Sequence, residues 1–243
     1  MVRRGLLRRL LGSRLGCPPV EVPIGVGPHG KPVLVPSRST EKCHALRAAR
    51  WPGFNLSRSG SLVLYALAPA PEPGFPAGPG VQEGPAIGVD LERVDGDRRT
   101  LDDLLRVACH FAPEESSLLR ALPTARATAA FYRFWTCKEA CLKSLGTGIG
   151  GEGAPTLAEV TLEIGSDGDV RRARWPREGL SWDLACLEPC VGHVAAVALP
   201  GGDGRDVARW RRPIELVRLE PEAFERRVSP GDAPPPGRGR GAP

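Results

Sequence analysis

Three acidic side chains carry the clearest chemical signal in this 243-residue sequence. Two of them, Asp90 and Glu92, sit in Ala86-Ile87-Gly88-Val89-Asp90-Leu91-Glu92. A strand repeats every two residues, so Gly88, Asp90 and Glu92 share one face while Ile87, Val89 and Leu91 share the other. The two carboxyl-bearing Cα atoms then stand about 6.5–7 Å apart on the same side. That is close enough to chelate one cation, and close enough to repel without one. The apolar flanks argue for a central strand, where unpaired ionised acids are disfavoured; the other reading is a strand end with both acids in water. Gly88 leaves this face uncrowded just before the acids.

The third acid is Glu139, in Trp135-Thr136-Cys137-Lys138-Glu139-Ala140-Cys141-Leu142-Lys143. Residues 131–145 contain no Gly or Pro and predict a helix of about four turns, with Gly146 and Gly148 as its stop. At ~100° per residue, Trp135, Glu139, Leu142 and Lys143 share one side, and Phe131, Phe134 and Lys138 an adjoining one. Glu139 and Lys143 form either an i,i+4 ion pair on a solvated face, worth ~0.3–0.5 kcal/mol, or part of a site with the upstream acids. Asp90, Glu92 and Glu139 together make an all-oxygen set suited to Mg²⁺, which keeps waters and accepts phosphate oxygens. Lys138 and Lys143 beside the third acid bring positive charge for such phosphates.

The surrounding sequence predicts the elements that hold these groups. Residues 1–15 read as an Arg-rich amphipathic helix striped by Leu6, Leu7, Leu10, Leu11 and Leu15. Short strands are expected at 20–26 and 33–35, and a strongly apolar one at 62–67. Residues 37–52 read as a polar, basic insertion, and 68–86 as a Pro/Gly-rich mobile linker. Beyond it come a strand at 87–91, a helix from Leu101, and a second helix opened by Pro113 with Glu114 and Glu115 in its first turn. After the central helix, strands are expected at 158–164, 170–175 and 193–199. The fold class is α+β, in two lobes: 1–86 and 87–215, the second bearing the acids. Residues 216–243, rich in Pro, Gly and Arg, predict a disordered tail.

Composition narrows the function classes. Seven cysteines without a framework spacing point to reduced thiols and a cytoplasmic setting. Cys186, Cys190 and His193 lack a nearby fourth ligand for zinc, and Cys137 and Cys141 read as small core residues. No apolar run reaches the ~18–20 residues of a membrane span. A net charge of +5 favours acidic partners. Aromatics at 5% are not interleaved with basic runs, so no base-stacking surface is expected and a nucleic-acid reading rests on charge and the Arg-Gly tail alone.

Gly88-x-Asp90-x-Glu92 followed by Trp135-x-x-Lys138-Glu139-x-x-x-Lys143 resembles the signature of the Sfp-type 4′-phosphopantetheinyl transferases, within the holo-carrier-protein synthase superfamily. Gly30-Lys31-Pro32, Phe54-Asn55-Leu56-Ser57-x-Ser59-Gly60 and Phe111-Ala112-Pro113-Glu114-Glu115 match it too, in the family's order. The resemblance implies two pseudo-twofold-related α/β lobes in a monomer, with coenzyme A bound in the cleft between them. It implies transfer of the phosphopantetheine arm to a serine of an acidic acyl or peptidyl carrier protein. Asp90, Glu92 and Glu139 would then hold Mg²⁺, and Glu139 would take the serine proton. Lys143 with Lys138 would face the pyrophosphate; Lys31, Ser57, Arg58 and Arg4 would contact coenzyme A. Arg58 departs from the family's usual His, the family's amino-terminal segment before the first helix is missing, and the 37–52 and 68–86 stretches are longer than its pattern. These departures leave open a non-catalytic relative that binds coenzyme A or a carrier protein.

Overall fold

The computed structural model describes residues 2–27, 29–35, 53–68, 86–94, 99–147, 151 and 153–201. The expected insertion at 37–52, nearly all of the linker at 68–86 and the tail at 216–243 lie outside the described residues. The chain divides into a unit spanning Met1–Trp210 and another spanning Arg211–Pro243; every described residue belongs to the first. The α+β class expected from the sequence is the one observed, with four α-helices and antiparallel sheets among the described residues.

Helix α1 (Val2–Leu15) buries Leu7, Leu11 and Leu15, spaced four apart, against Val22, Leu34 and Phe54. Leu6 and Leu10 flank that line half-buried. The strand expected at 20–26 is shorter, because Pro18, Pro19 and Pro23 lack the N–H a ladder needs. Pro19–Glu21 forms a 3-10 turn, and only Ile24–Val26 (β1) pairs, antiparallel with Pro32–Leu34 (β2). Strands β3 (Gly53–Ser59) and β4 (Leu62–Ala68) make a seven-pair hairpin, turned at Gly60 with a positive φ of 58°.

The larger sheet has five antiparallel strands in the order β5-β9-β8-β7-β6. These are β5 (Gly88–Arg93), β6 (Thr161–Ile164), β7 (Val170–Trp175), β8 (Leu180–Leu187) and β9 (His193–Pro200). Strand β8 was not expected, although Trp182 and Leu184 alternate inward at period two. Strand β5 stands at the edge of this sheet.

Helices α2 (Leu101–Ala108) and α3 (Pro113–Ala121) lead to the central helix α4 (Thr124–Leu145). Pro113 occupies the first turn of α3, as expected. Helix α4 starts at Thr124 instead of 131, because Pro123 opens an Ala-rich stretch of high helix propensity. It ends where Gly146 turns left-handed at φ 76°. Residues 136–142 are buried on all sides. Phe134, Cys137 and Cys141 meet Trp182, Leu184, Ala196 and Ala198 in the main core.

One contact brings α4 to β5. A β-carbon added at Gly88 would lie 1.8 Å from the carbonyl oxygen of Ala140 and 2.6 Å from the amide nitrogen of Ser144. The helix backbone therefore rests on the strand where no side chain intervenes. Neither of the two obstacles is a flexible side chain that could swing aside. Gly88→Ala should cost roughly 3 kcal/mol, the upper end for an inserted methyl in a packed core. Denaturant unfolding measures this, and a variant as stable as the parent would contradict the contact.

Candidate active site

The contact at Gly88 decides which side chains meet. Along β5, Asp90 and Glu92 follow Gly88 on the same face. Along α4, Glu139 precedes Ala140, whose carbonyl touches Gly88, so its carboxylate is carried to the two acids. Asp90 and Glu139 are 3% and 6% exposed, which places two carboxylates in a poorly solvated space.

Strand β3 runs beside β5 and grips the acids by side-chain bonds. Ser57 Oγ donates to Asp90 Oδ1 at 2.9 Å and Ser59 Oγ to Glu92 Oε2 at 3.2 Å. The Arg93 N–H donates to Ser59 Oγ at 2.9 Å. The two serine–acid rungs advance together by two residues, as period-two strands require. Lys143 reaches across from α4 and donates to Asp90 Oδ1 at 2.5 Å and to Ser57 Oγ at 3.0 Å. The solvated-face pair of Lys143 with Glu139 is therefore not what forms.

That leaves charge without full compensation. Asp90 Oδ2 and Glu139 Oε1 are buried and have no hydrogen-bond partner. Burial, reinforced by the charges of Asp90 and Glu92, pushes Glu139 up to about 7, against the pull of Lys143. Burial and then Asp90 raise Glu92 as well, while hydrogen bonds from Ser59 and Trp135 work the other way. Among the described residues no three His, Cys, Asp or Glu side chains gather closely enough to hold a metal ion. The donor chemistry nevertheless fits a hard divalent cation: the three candidate groups offer only oxygens, two of those oxygens are buried without a partner, and the charge of Asp90 raises the proton affinity of both Glu92 and Glu139.

The carboxyl end of α4 forms the other half of the site. Lys31 Nζ donates to the carbonyls of Lys143 and Ser144 at 2.9 and 3.4 Å, and Asn55 Nδ2 to that of Lys143 at 3.2 Å. These carbonyls have no partner within the helix, and a cation is favoured at this end of its dipole. Burial pulls Lys31 down to about 8. A cleft of ≈ 230 Å³ opens beside them, lined in part by Lys31, Phe54, Asn55 and Lys143.

Not every residue expected here arrives. Lys138, placed at the pyrophosphate by the resemblance, is 0% exposed and paired with Glu115 at 2.7 Å. Its other donors are spent on the carbonyls of Leu157 (2.7 Å) and Val160. That lysine is a core residue, because consecutive helical positions diverge by ~100° and Glu139 already takes the direction of the acids. Ser57, expected at coenzyme A, has its hydroxyl engaged with Asp90 and Lys143. Arg58, between the two serines, falls on the opposite face of β3 and is exposed, as is Arg4 on α1. Among the described residues neither arginine bonds to the acids. Ser59, Asn55 and the Trp135 bond to Glu92 were missed; Ser59 was readable from its parity with Ser57.

Residues 86–198 match the family model described as the 4′-phosphopantetheinyl transferase superfamily. Over 199 residues the chain is 34% identical to the 4′-phosphopantetheinyl transferase HetI of Nostoc sp., covering 82% of this chain and 69% of that one. It is 30% identical to the L-aminoadipate-semialdehyde dehydrogenase-phosphopantetheinyl transferase of Eremothecium gossypii, over 88% of this chain and 70% of that one. Against the 4′-phosphopantetheinyl transferase of Bacillus subtilis the identity is 27%, over 68% of this chain and 58% of that one. Among solved structures, a holo-(acyl-carrier-protein) synthase from Bacillus anthracis matches 48% of this chain and 96% of its own at 21% identity and a TM-score of 0.38, a likeness too slight to weigh.

The raised Glu139 has a consequence for stability. The folded chain holds that proton up to about 7, while an unfolded glutamate releases it near 4.5. Between those values the folded state binds more protons, so stability falls as pH rises through the window. In chelator, the melting temperature should drop from pH 5 to pH 7.5, and Glu139→Gln should flatten the drop. An unchanged slope in that variant would remove Glu139 as its source.

Proposed function

The chain belongs to the 4′-phosphopantetheinyl transferase superfamily and is an enzyme of that kind; from that premise we propose that it moves the phosphopantetheine arm of coenzyme A onto a serine hydroxyl of an acyl or peptidyl carrier protein, with Mg²⁺ held by Asp90, Glu92 and Glu139. The observation that carries the reading is the pair of buried, unpartnered oxygens on Asp90 and Glu139, close enough for the charge of Asp90 to act on Glu139 where α4 crosses β5. Oxygens so placed favour a hard cation, and a phosphate-bearing substrate accounts for the lysines around them.

The bound cation would neutralise charge on the coenzyme A pyrophosphate and hold its oxygens in place. Glu139, carried by α4 to the acids of β5, accepts the proton of the attacking serine hydroxyl. The serine oxygen bonds to the phosphorus that bears the pantetheine arm, and the bond from that phosphorus to the bridging oxygen breaks. 3′,5′-ADP leaves with the electron pair and the negative charge, which Lys143 offsets from its place between Asp90 and the cleft. Lys31 brings a second cation to the same cleft. Phosphoryl-type transfer asks little more than positioning and charge stabilisation. The carrier is acidic, in keeping with the net charge of +5, and the enzyme works as a cytoplasmic monomer.

Purified protein, Mg²⁺, coenzyme A and a panel of apo-carrier proteins should give a coenzyme A-dependent mass gain on one carrier serine. Asp90→Ala and Glu139→Gln should each lower turnover by at least about 100-fold, a loss typical of removing a group that acts at the reacting centre. Absence of any mass gain across the panel sinks the transferase reading. Full turnover in both variants sinks the site.

A further inference from the structure

Two buried charges lie outside the site described above, yet they act on the same helix. Lys138 is 0% exposed and Glu115 is 2% exposed, and they meet at 2.7 Å. The ammonium donates also to the carbonyls of Leu157 and Val160. The carboxylate accepts from the Ala112 N–H at 3.1 Å through Oε2 and from the Leu162 N–H at 2.9 Å through Oε1. All three ammonium protons and both carboxylate oxygens are therefore committed. Phe111 lies under the ammonium, its ring centroid 5.3 Å from Nζ, and stacks on Phe131, which stacks in turn on Trp135.

The geometry points to Glu115 and Lys138 as positioning residues that fix the rotation of α4 about its axis and so aim the carboxylate of Glu139. This rests on the transferase reading for what Glu139 does, but not for how it is held. Lys138 and Glu139 are consecutive, so their directions about the axis are locked ~100° apart. Holding Lys138 in a closed set of bonds to the start of α3 and to the 157–162 segment leaves Glu139 one direction. A rotation of about 20° would carry a group ~6 Å from the axis through about 2 Å. Displacements of that size are enough to undo a ligand set or a proton transfer. The contact at Gly88 sets how near the helix comes to β5, and the buried pair sets which way it faces.

The test uses the whole chain. Glu115→Leu with Lys138→Met removes both charges at similar volume, a replacement that buried pairs often tolerate. Glu115→Gln keeps volume and an acceptor oxygen, and supplies the comparison if the double variant fails to fold. The probe is Tb³⁺ alone, titrated without coenzyme A or carrier, its emission sensitised by the Trp135 that bonds Glu92. Each folded variant should bind Tb³⁺ roughly 10-fold or more weakly. Its kcat should fall by a similar factor, with KM for coenzyme A within about twofold of the parent. Parental Tb³⁺ affinity in a folded variant overturns the positioning role. If the parent binds Tb³⁺ but modifies no carrier, the transferase reading fails while the Tb³⁺ comparison still decides this one.

Discussion

Helix α4 rests its backbone on strand β5 at Gly88, and the site exists because nothing stands between them there. A single methyl would sit 1.8 Å from the Ala140 carbonyl oxygen. A β-carbon on the strand would ordinarily hold the two backbones apart. Here the sheet offers a glycine, and Ala196 and Ala198 on neighbouring β9 are small enough for the helix to sink further. The same approach delivers Glu139 to Asp90. Close packing and the collection of charge are thus one event.

Collecting charge has a cost that the surroundings offset only in part. Carboxylates brought together away from water repel strongly, since the interaction grows as the effective dielectric falls. Three sources of positive charge are open to them: a proton, a side chain or a metal ion. Lys143 serves Asp90, at 2.5 Å, with Ser57 steadying both. A proton serves Glu139, whose affinity for it is raised to about 7. Asp90 Oδ2 and Glu139 Oε1 still have no hydrogen-bond partner. The acids are satisfied one by one, and two of their buried oxygens are left over.

Much of this was legible in the residues. Parity along 88–92 placed Gly88, Asp90 and Glu92 on one face, and the strand forms at Gly88–Arg93. The spacing from Trp135 to Glu139 put both on one side of a helix, and both reach the acids of β5. What escaped was tertiary. The start of α4 at Thr124 depends on Pro123 and alanines that show no amphipathic period. Strand β8 was hidden because Ser181 and Asp183 broke its apolar run, although its alternate residues point inward. The serine rungs of β3 required knowing that β3 would lie beside β5, which no local pattern states.

The two lysines of α4 show how one helix sorts identical side chains. Lys138 and Lys143 are five residues apart, which at ~100° each leaves them ~140° apart around the axis. Toward Lys138 lie Phe111, Leu157 and Val160, and the only affordable burial for an ammonium there is a complete one, with Glu115 as counter-charge. Burial pulls its proton affinity down while Glu115 works against that fall. Toward Lys143 lie Asp90 and the cleft, and its side chain keeps 32% of its exposure. Such a lysine can trade one oxygen for another, whereas one enclosed with all its donors spent cannot. Side-chain type alone makes the two equivalent; the angle between them encloses Lys138 and leaves Lys143 at the cleft.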